Sequence, residues 1–282
     1  MARILKFANI FIKTPMSYQL ICTDIDGTLL NKDRALSKTT IEQVQRVSDI
    51  PFVLISSRMP NGMRHLQREF SNEKTPFVAY NGGLILNNNK VLQSTFIKNS
   101  VLAEIINQCT NTSIHLSLFH VDEWYVPAMD YWAKREENNT KVTPVVKSNI
   151  EVLDTWKNEG KGAHKIMCMG DETEIDILYK SLEKNFSNEI LLYRSKETYI
   201  EISHKDVSKK TAIDVVLKHC YPTLSMDNVV AFGDNYNDIE MLKSVGLGVA
   251  VGNANYEVLK VADAVTDTNK NDGVAKAIKE YF

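Results

Sequence analysis

Short apolar runs alternate along the chain with stretches in which apolar positions recur every three or four residues, the rhythm of a parallel α/β sheet. Residues 18–23 predict a first strand. Thr39-x-x-Glu42 then reads as a capping box opening a helix with Ile41, Val44 and Val47 on one face. "PFVLISS" (51–57) predicts a second strand, with a break at Pro60-Asn61-Gly62. "PFVAYNGG" (76–83) predicts a third, followed by a hairpin-like stretch around 87–90. The same rhythm returns near the end: strand 228–234, helix 236–245, strands 246–252 and 262–266, and a closing helix over 273–282.

The middle of the chain, 96–196, has a different pattern. Alternating strands ("SIHLSLF", "EWYVP", "KIMCMG", "ILLYRS") are interleaved with polar amphipathic helices over 129–138 and 172–186. All three tryptophans, Trp124, Trp132 and Trp156, fall here. This predicts a second α+β domain inserted into the first, whose halves are 18–95 and 197–282, with 1–17 as an N-terminal extension.

Composition narrows the function classes. The 282 residues are 44% hydrophobic and 24% charged, as in ordinary globular proteins. A formal net charge of −2 supplies no basic field for nucleic acid or an anionic membrane. Cys22, Cys109, Cys168 and Cys220 are too dispersed for a Cys-x-x-Cys pair and read as free, mostly buried thiols of a reducing compartment. No apolar run approaches the roughly 18 residues of a membrane span. The leader carries Arg3, Lys6 and Lys13 without an acid; it reads either as a short basic surface segment or as an extension upstream of a start near Met16. The expected location is cytoplasmic.

Four polar clusters fall at strand or helix ends, where open parallel sheets bind ligands. The first, "TDIDGT", sets Asp24 and Asp26 two residues apart after an apolar strand. Two such carboxylates are costly to bury unless a cation compensates them; a solvated turn is the alternative. A calcium loop does not fit, because aligning Gly27 with its glycine puts Cys22 at the first ligand position. The second, Ser56-Ser57, offers hydroxyls and backbone N–H groups to phosphate oxygens, or simply a helix cap. The third, "DVSKKTAIDVVLKH", starts a helix at the cap Ser208 and places Lys209 and Lys210 in its first turn, where the dipole favours anions. The fourth, "GDNYND", adds Asp234, which joins Asp24 and Asp26 if the two strands are neighbours. An all-oxygen set of this kind suits Mg²⁺ over zinc. Asp238 reads either as part of that site or as the acid of the following helix. "GLGVAVG" mimics a dinucleotide fingerprint, but its third glycine is one residue late and it lies on a strand. His115, His120, His164, His204 and His219 show no ligand spacing.

In their order, "DIDGTLL", "LISSR", "YNGG", "VSKKTA" and "GDNYNDIEML", with the trailing "GVAVGNA" and "DGVAKAI", resemble the haloacid dehalogenase superfamily, and within it the Cof-type sugar phosphatases. The resemblance spans 18–282. It implies a Rossmann-like α/β parallel-sheet core with an inserted α+β cap, and a phosphatase of small phosphorylated metabolites. It makes Asp24 the nucleophile that forms an aspartyl-phosphate, and Asp26 the general acid and base. Mg²⁺ would be held by Asp24, the backbone carbonyl of Asp26, and Asp234. Phosphate would be held by Ser56, the backbone of Ile25 and Ser57, Lys209 and Asn237, with Asp238 behind the metal or Lys209.

The family usually has glycine where Ser57 and Lys210 stand, and glycine or serine at Asn235, which puts substrate preference in question. The expected partner is a small phosphorylated substrate, without nucleic acid or membrane. A phosphomutase on the same scaffold and a non-catalytic phosphometabolite sensor remain as rival readings. Trp124, Tyr125, Tyr131 and Trp132 serve either as the core of the insert or as stacking groups for a substrate ring.

Overall fold

The computed structural model describes residues 18–88 and 90–282; the N-terminal extension lies outside the described residues. The chain begins with β1 (Leu20–Thr23), α1 (Lys38–Arg46), β2 (Phe52–Leu54), α2 (Asn61–Phe70), β3 (Phe77–Ala79), β4 (Leu84–Asn87) and β5 (Lys90–Ser94). There follow α3 (Asn99–Cys109), β6 (His115–His120), β7 (Glu123–Val126), α4 (Tyr131–Thr140), β8 (Val145–Val146), α5 (Asn149–Glu159), β9 (Lys165–Met169), α6 (Glu172–Phe186), β10 (Ile190–Lys196) and β11 (Tyr199–His204). The chain closes with α7 (Lys209–Cys220), β12 (Val229–Gly233), α8 (Ile239–Ser244), β13 (Leu247–Ala250), α9 (Tyr256–Leu259), β14 (Ala264–Val265) and α10 (Gly273–Tyr281). Among these helices none is long and apolar enough to cross a membrane.

A five-stranded parallel sheet, ordered β14-β13-β12-β1-β2, forms the α/β core. β1, β2 and β12 are buried on both faces, which is why they read as continuous apolar runs. Side chains alternate along β1: Leu20 and Cys22 pack with Ile213 and Val216 of α7, whereas Ile21 packs in the cluster that holds Val44, Met63 and Ile278. β1 sits between β12 and β2, with Thr23 level with Phe232 and Leu54. The polar segments that follow these three strands therefore leave the sheet on one rim.

Several boundaries differ from the sequence expectation. The cap of α1 is Ser37, whose Oγ accepts from the Thr40 N–H at 3.0 Å, and not Thr39. Leu36 and Ile41 pack in one cluster on either side of it, a hydrophobic staple that sets the start. Pro60 does not break the chain. It precedes α2, since proline is tolerated where the N–H has no helical partner, and Met63, Leu66 and Phe70 face the core. The third strand stops at Ala79. Tyr80 and Asn81 then adopt φ of 54° and 55° and Gly82 a φ of 116°, a tight turn into the antiparallel β3-β4-β5 sheet.

The middle residues form a six-stranded sheet, β10-β11-β9-β6-β7-β8. β11 belongs to it, paired with β9 and β10, so this sheet runs to His204 and not to 196. Ile200 and Ile202 face its helices while Glu201 faces the other way, the alternation of a half-buried strand. α3, α5 and α6 cover one face around Leu116, Leu118, Ile166, Cys168 and Trp156. The opposite face, with Phe119, Lys165, Met167, Met169, Tyr199 and Glu201, looks across a cleft at the core.

His164 ties the two layers together. The Val121 N–H donates to its Nδ1 (3.2 Å), so Nε2 carries the proton and donates to Ser94 Oγ (2.9 Å), and Tyr80 stacks on the ring at 5.4 Å. Burial first, and then His120, pull its pKa down to about 3. Between about pH 6.5 and 3 the unfolded chain binds a proton here that the folded chain refuses, so stability falls as pH falls through that window. Denaturation curves at stepped pH should show a slope of up to ~1.4 kcal/mol per pH unit from this group, reduced in His164→Gln.

Candidate active site

The register between β1 and β12 brings the two acidic segments together. Asp24 follows β1 and Asp234 follows β12. Gly27 makes the approach possible: its φ is +89°, and a Cβ there would run into the Asp234 carboxylate. Thr28 Oγ1 donates to Asp234 Oδ1 at 2.7 Å. The turn carries Asp26 outward, where its side chain is 45% exposed.

Lys209, the first residue of α7, is fully buried as a side chain, with its Nζ 2.6 Å from both Asp24 Oδ1 and Asp238 Oδ1. Burial alone would depress its pKa, but Asp238 and then Asp24 leave it raised. The unfavourable position of a cation at a helix N-terminus is thereby offset by two fixed carboxylates. Lys210 instead reaches solvent and pairs with Asp214 at 2.8 Å. Asp238 spends its other oxygen on the Asp234 and Asn235 N–H groups (2.9 and 3.0 Å), and Gly233 leaves room for it.

Asp24, Asp234 and Asp238 present carboxylate oxygens within 4.8 Å of one another. Burial raises Asp24 well above the ordinary carboxylate range; Lys209 opposes this, and Asp238 and Asp234 add repulsion. Burial, opposed by the Thr28 hydrogen bond, lifts Asp234 to about 6. Three acids this close, with one ammonium among them, form an electrostatically incomplete set. Both Asp238 oxygens are engaged, whereas Asp24 Oδ2 and Asp234 Oδ2 accept no hydrogen bond from the described residues. Those two oxygens fit a hard divalent cation.

The remaining expected residues border this cluster. Ser56 is buried, its Oγ accepting from the Arg58 N–H at 3.2 Å. The Ser57 carbonyl accepts from Lys165 Nζ at 2.9 Å. The Ile25 side chain is buried in the core, fixing the turn from which its backbone leaves. Asn237 Nδ2 donates to Asn81 Oδ1 at 3.3 Å, and Asn81 in turn to Glu201 at 3.3 Å. Asp26 is not part of the carboxylate cluster. Arg58 holds it through two 2.7 Å hydrogen bonds, Nε to Oδ2 and Nη2 to Oδ1, and is anchored by Nη1 on the Gly62 carbonyl.

Arg58, Asn81, Lys165 and Glu201 join the residues expected from the sequence. Arg58 stands inside the "LISSR" segment and Asn81 inside "YNGG", so both are legible as members of those segments; Lys165 and Glu201 are set by how the two sheets face each other. A cleft of about 390 Å³, lined by Asp26, Arg58, Trp132, Lys165, Tyr199 and Glu201, opens beside the Asp26–Arg58 pair.

Residues 21–278 match the haloacid dehalogenase-like hydrolase family. The chain belongs to that family. A Haemophilus influenzae protein provisionally named a phosphatase is 32% identical over 281 residues, covering 95% of this chain and 99% of its own. The 5-amino-6-(5-phospho-D-ribitylamino)uracil phosphatase YitU of Bacillus subtilis is 27% identical over 270 residues, covering 93% and 97%. A haloacid dehalogenase-like hydrolase from Bacteroides thetaiotaomicron superposes with a TM-score of 0.85 at 26% identity, over 94% of this chain and 100% of its own. The fold also matches a subclass IIB sugar phosphatase, BT4131, at a TM-score of 0.78 and 21% identity, over 93% and 98%. The chain is an enzyme of this phosphatase family.

Proposed function

We propose that the chain is a Mg²⁺-dependent phosphatase of small phosphorylated metabolites that works through an aspartyl-phosphate on Asp24. The observation that carries this reading is the buried Lys209 ammonium between Asp24 and Asp238, with the Asp234 carboxylate gathered against the same pair. A pocket built only to bind phosphate would gain nothing from a second and third carboxylate, which repel the ligand.

Asp24 Oδ2 and Asp234 Oδ2, with the Asp26 carbonyl, would hold Mg²⁺. When bound, it supplies charge neutralisation between an anionic carboxylate and an anionic phosphate. Lys209 fixes the Asp24 carboxylate through Oδ1, and Oδ2 accepts no hydrogen bond from the described residues. Asp24 attacks phosphorus in line, and the ester oxygen departs with its electron pair. Asp26 gives that alkoxide a proton, then takes one from the water that attacks the aspartyl-phosphate. Ser56, Ser57, Asn237 and the Ile25 backbone surround the transferring oxygens.

Arg58 positions Asp26 by gripping both carboxylate oxygens. Arg58→Leu should lower kcat by about 10- to 100-fold with KM nearly unchanged, since the proton donor is misplaced and not the binding groups. Steady-state kinetics on an alkyl phosphate check this.

The reading as a whole is tested by phosphate release from a panel of phosphorylated sugars, polyols, nucleotides and cofactors, with Mg²⁺ and with a chelator. Release that requires the metal is the expected result. Release undiminished by the chelator, or none from folded protein with Mg²⁺, contradicts it.

A further inference from the structure

The cleft face of the six-stranded sheet is lined largely by Phe119, Met167, Met169 and Tyr199, yet carries a buried pair of opposite charges. Lys165 on β9 is 4% exposed and Glu201 on β11 is 7% exposed. Burying charges is costly unless their hydrogen bonds are made.

Theirs are only partly made. Of the three N–H donors of Lys165, one reaches the Ser57 carbonyl at 2.9 Å, and the Phe119 ring lies 4.6 Å from Nζ. Glu201 accepts from the Tyr199 hydroxyl at 2.8 Å and from Asn81 at 3.3 Å. Between the two charges, Nζ and Oε2 stand 4.0 Å apart. That gap is too wide for a direct hydrogen bond, yet a single oxygen about 2.8 Å from each end would bridge it. A hydroxyl suits the place, because it can accept from the ammonium and donate to the carboxylate at once. An alkyl or aryl carbon can do neither.

The position of the pair says which hydroxyl. Lys165 is bonded to the Ser57 carbonyl, and Glu201 reaches Asn237 through Asn81. Lys165 thus adjoins one residue expected to hold the transferring phosphate, and Glu201 is one side chain removed from another. We infer that Lys165 and Glu201 together read a hydroxyl on the leaving group close to the phosphoester, and so discriminate against leaving groups that carry none at that place. This rests on the phosphatase reading above.

The test compares ribitol 5-phosphate with n-pentyl phosphate, which has the same carbon count and an alkoxide leaving group but no hydroxyl. Turnover and calorimetric binding are measured with the Mg²⁺-loaded protein and with Lys165→Met, Glu201→Gln and the double variant. Wild type should prefer the polyol ester. Each single variant should lose about 30-fold or more in kcat/KM and in affinity for it, the double variant little further, and n-pentyl phosphate should change less than about threefold. Thermal melting checks that the variants fold; should Lys165→Met not fold, the near-isosteric Glu201→Gln carries the comparison alone.

Equal losses on both esters would reduce the pair to a clasp between the two layers and overturn the inference, as would no loss on either. If wild type releases no phosphate from either ester nor from the wider panel, the phosphatase reading fails. The binding arm then decides the pair by itself: a selective loss of polyol-phosphate affinity supports it, and unchanged affinities overturn it.

Discussion

Asp24→Asn should lower phosphate release by on the order of 10⁴-fold or more while leaving the protein folded. An amide has no anionic oxygen to attack phosphorus, and the neighbouring carboxylates have other tasks: both oxygens of Asp238 are engaged, Asp234 accepts from Thr28 and would hold the metal, and Asp26 is turned outward onto Arg58. The effect on stability has the opposite character. Burial and two neighbouring acids push the Asp24 carboxyl well above its usual range, so the folded state is destabilised by keeping it ionised at neutral pH. The neutral amide relieves that repulsion, and Lys209 retains Asp238 as a partner. In metal-free buffer the melting temperature of the variant should therefore not fall below that of wild type. A variant that is inactive because it is unfolded would contradict this expectation, and calorimetry separates the two cases.

Lys209→Met carries the second large effect, and here stability and activity fall together. The substitution keeps most of the side-chain volume but removes the ammonium from between two carboxylates whose side chains are 10% and 0% exposed. Removing one partner of a buried ion pair costs about 3–5 kcal/mol, because the remaining charge is left uncompensated. For a chain of this size that corresponds to a fall in melting temperature of roughly 10 °C, together with loss of turnover. Lys209→Met combined with Asp238→Asn should recover part of the stability, since one stranded charge has gone, but none of the activity. A melting temperature unchanged in Lys209→Met would show that the triad is far better solvated than its burial indicates.

Much of this arrangement was legible in the chain because it depends on strand order and local chemistry. Asp24 and Asp234 each follow a buried apolar run, and adjacent parallel strands put such residues on one rim. Lys209 was conspicuous as a cation at the wrong end of a helix, and the structure supplies the two carboxylates that compensate it. Asp238 serves both of its alternatives at once, binding two backbone N–H groups ahead of α8 and one ammonium.

What could not be read depends on how separate elements face one another. The grip of Arg58 on Asp26 spans 32 residues of sequence and follows from the turn at Gly27. Lys165 and Glu201 are unremarkable strand residues until the register of β9 against β11 sets them on the same face. The pairing of β11 with β9 and β10, which carries the middle sheet past 196, is likewise a matter of long-range register. The tryptophans divide similarly. Trp124 stacks on Phe119 at 5.4 Å within the core and Trp156 is fully buried, whereas Trp132 lines the cleft; nothing in their immediate sequence distinguishes them.

The central claim is that phosphate passes through Asp24. Acid-quenching the Mg²⁺-loaded enzyme during turnover of a phosphorus-labelled substrate, then digesting it and locating the label, tests that claim most directly. The account predicts an acid-stable, hydroxylamine-sensitive phosphoryl group on the peptide containing Asp24, together with retention of configuration at phosphorus from two successive in-line displacements. Steady phosphate release with no labelled peptide and with inversion at phosphorus would contradict it, because water would then attack the substrate directly and Asp24 would only bind.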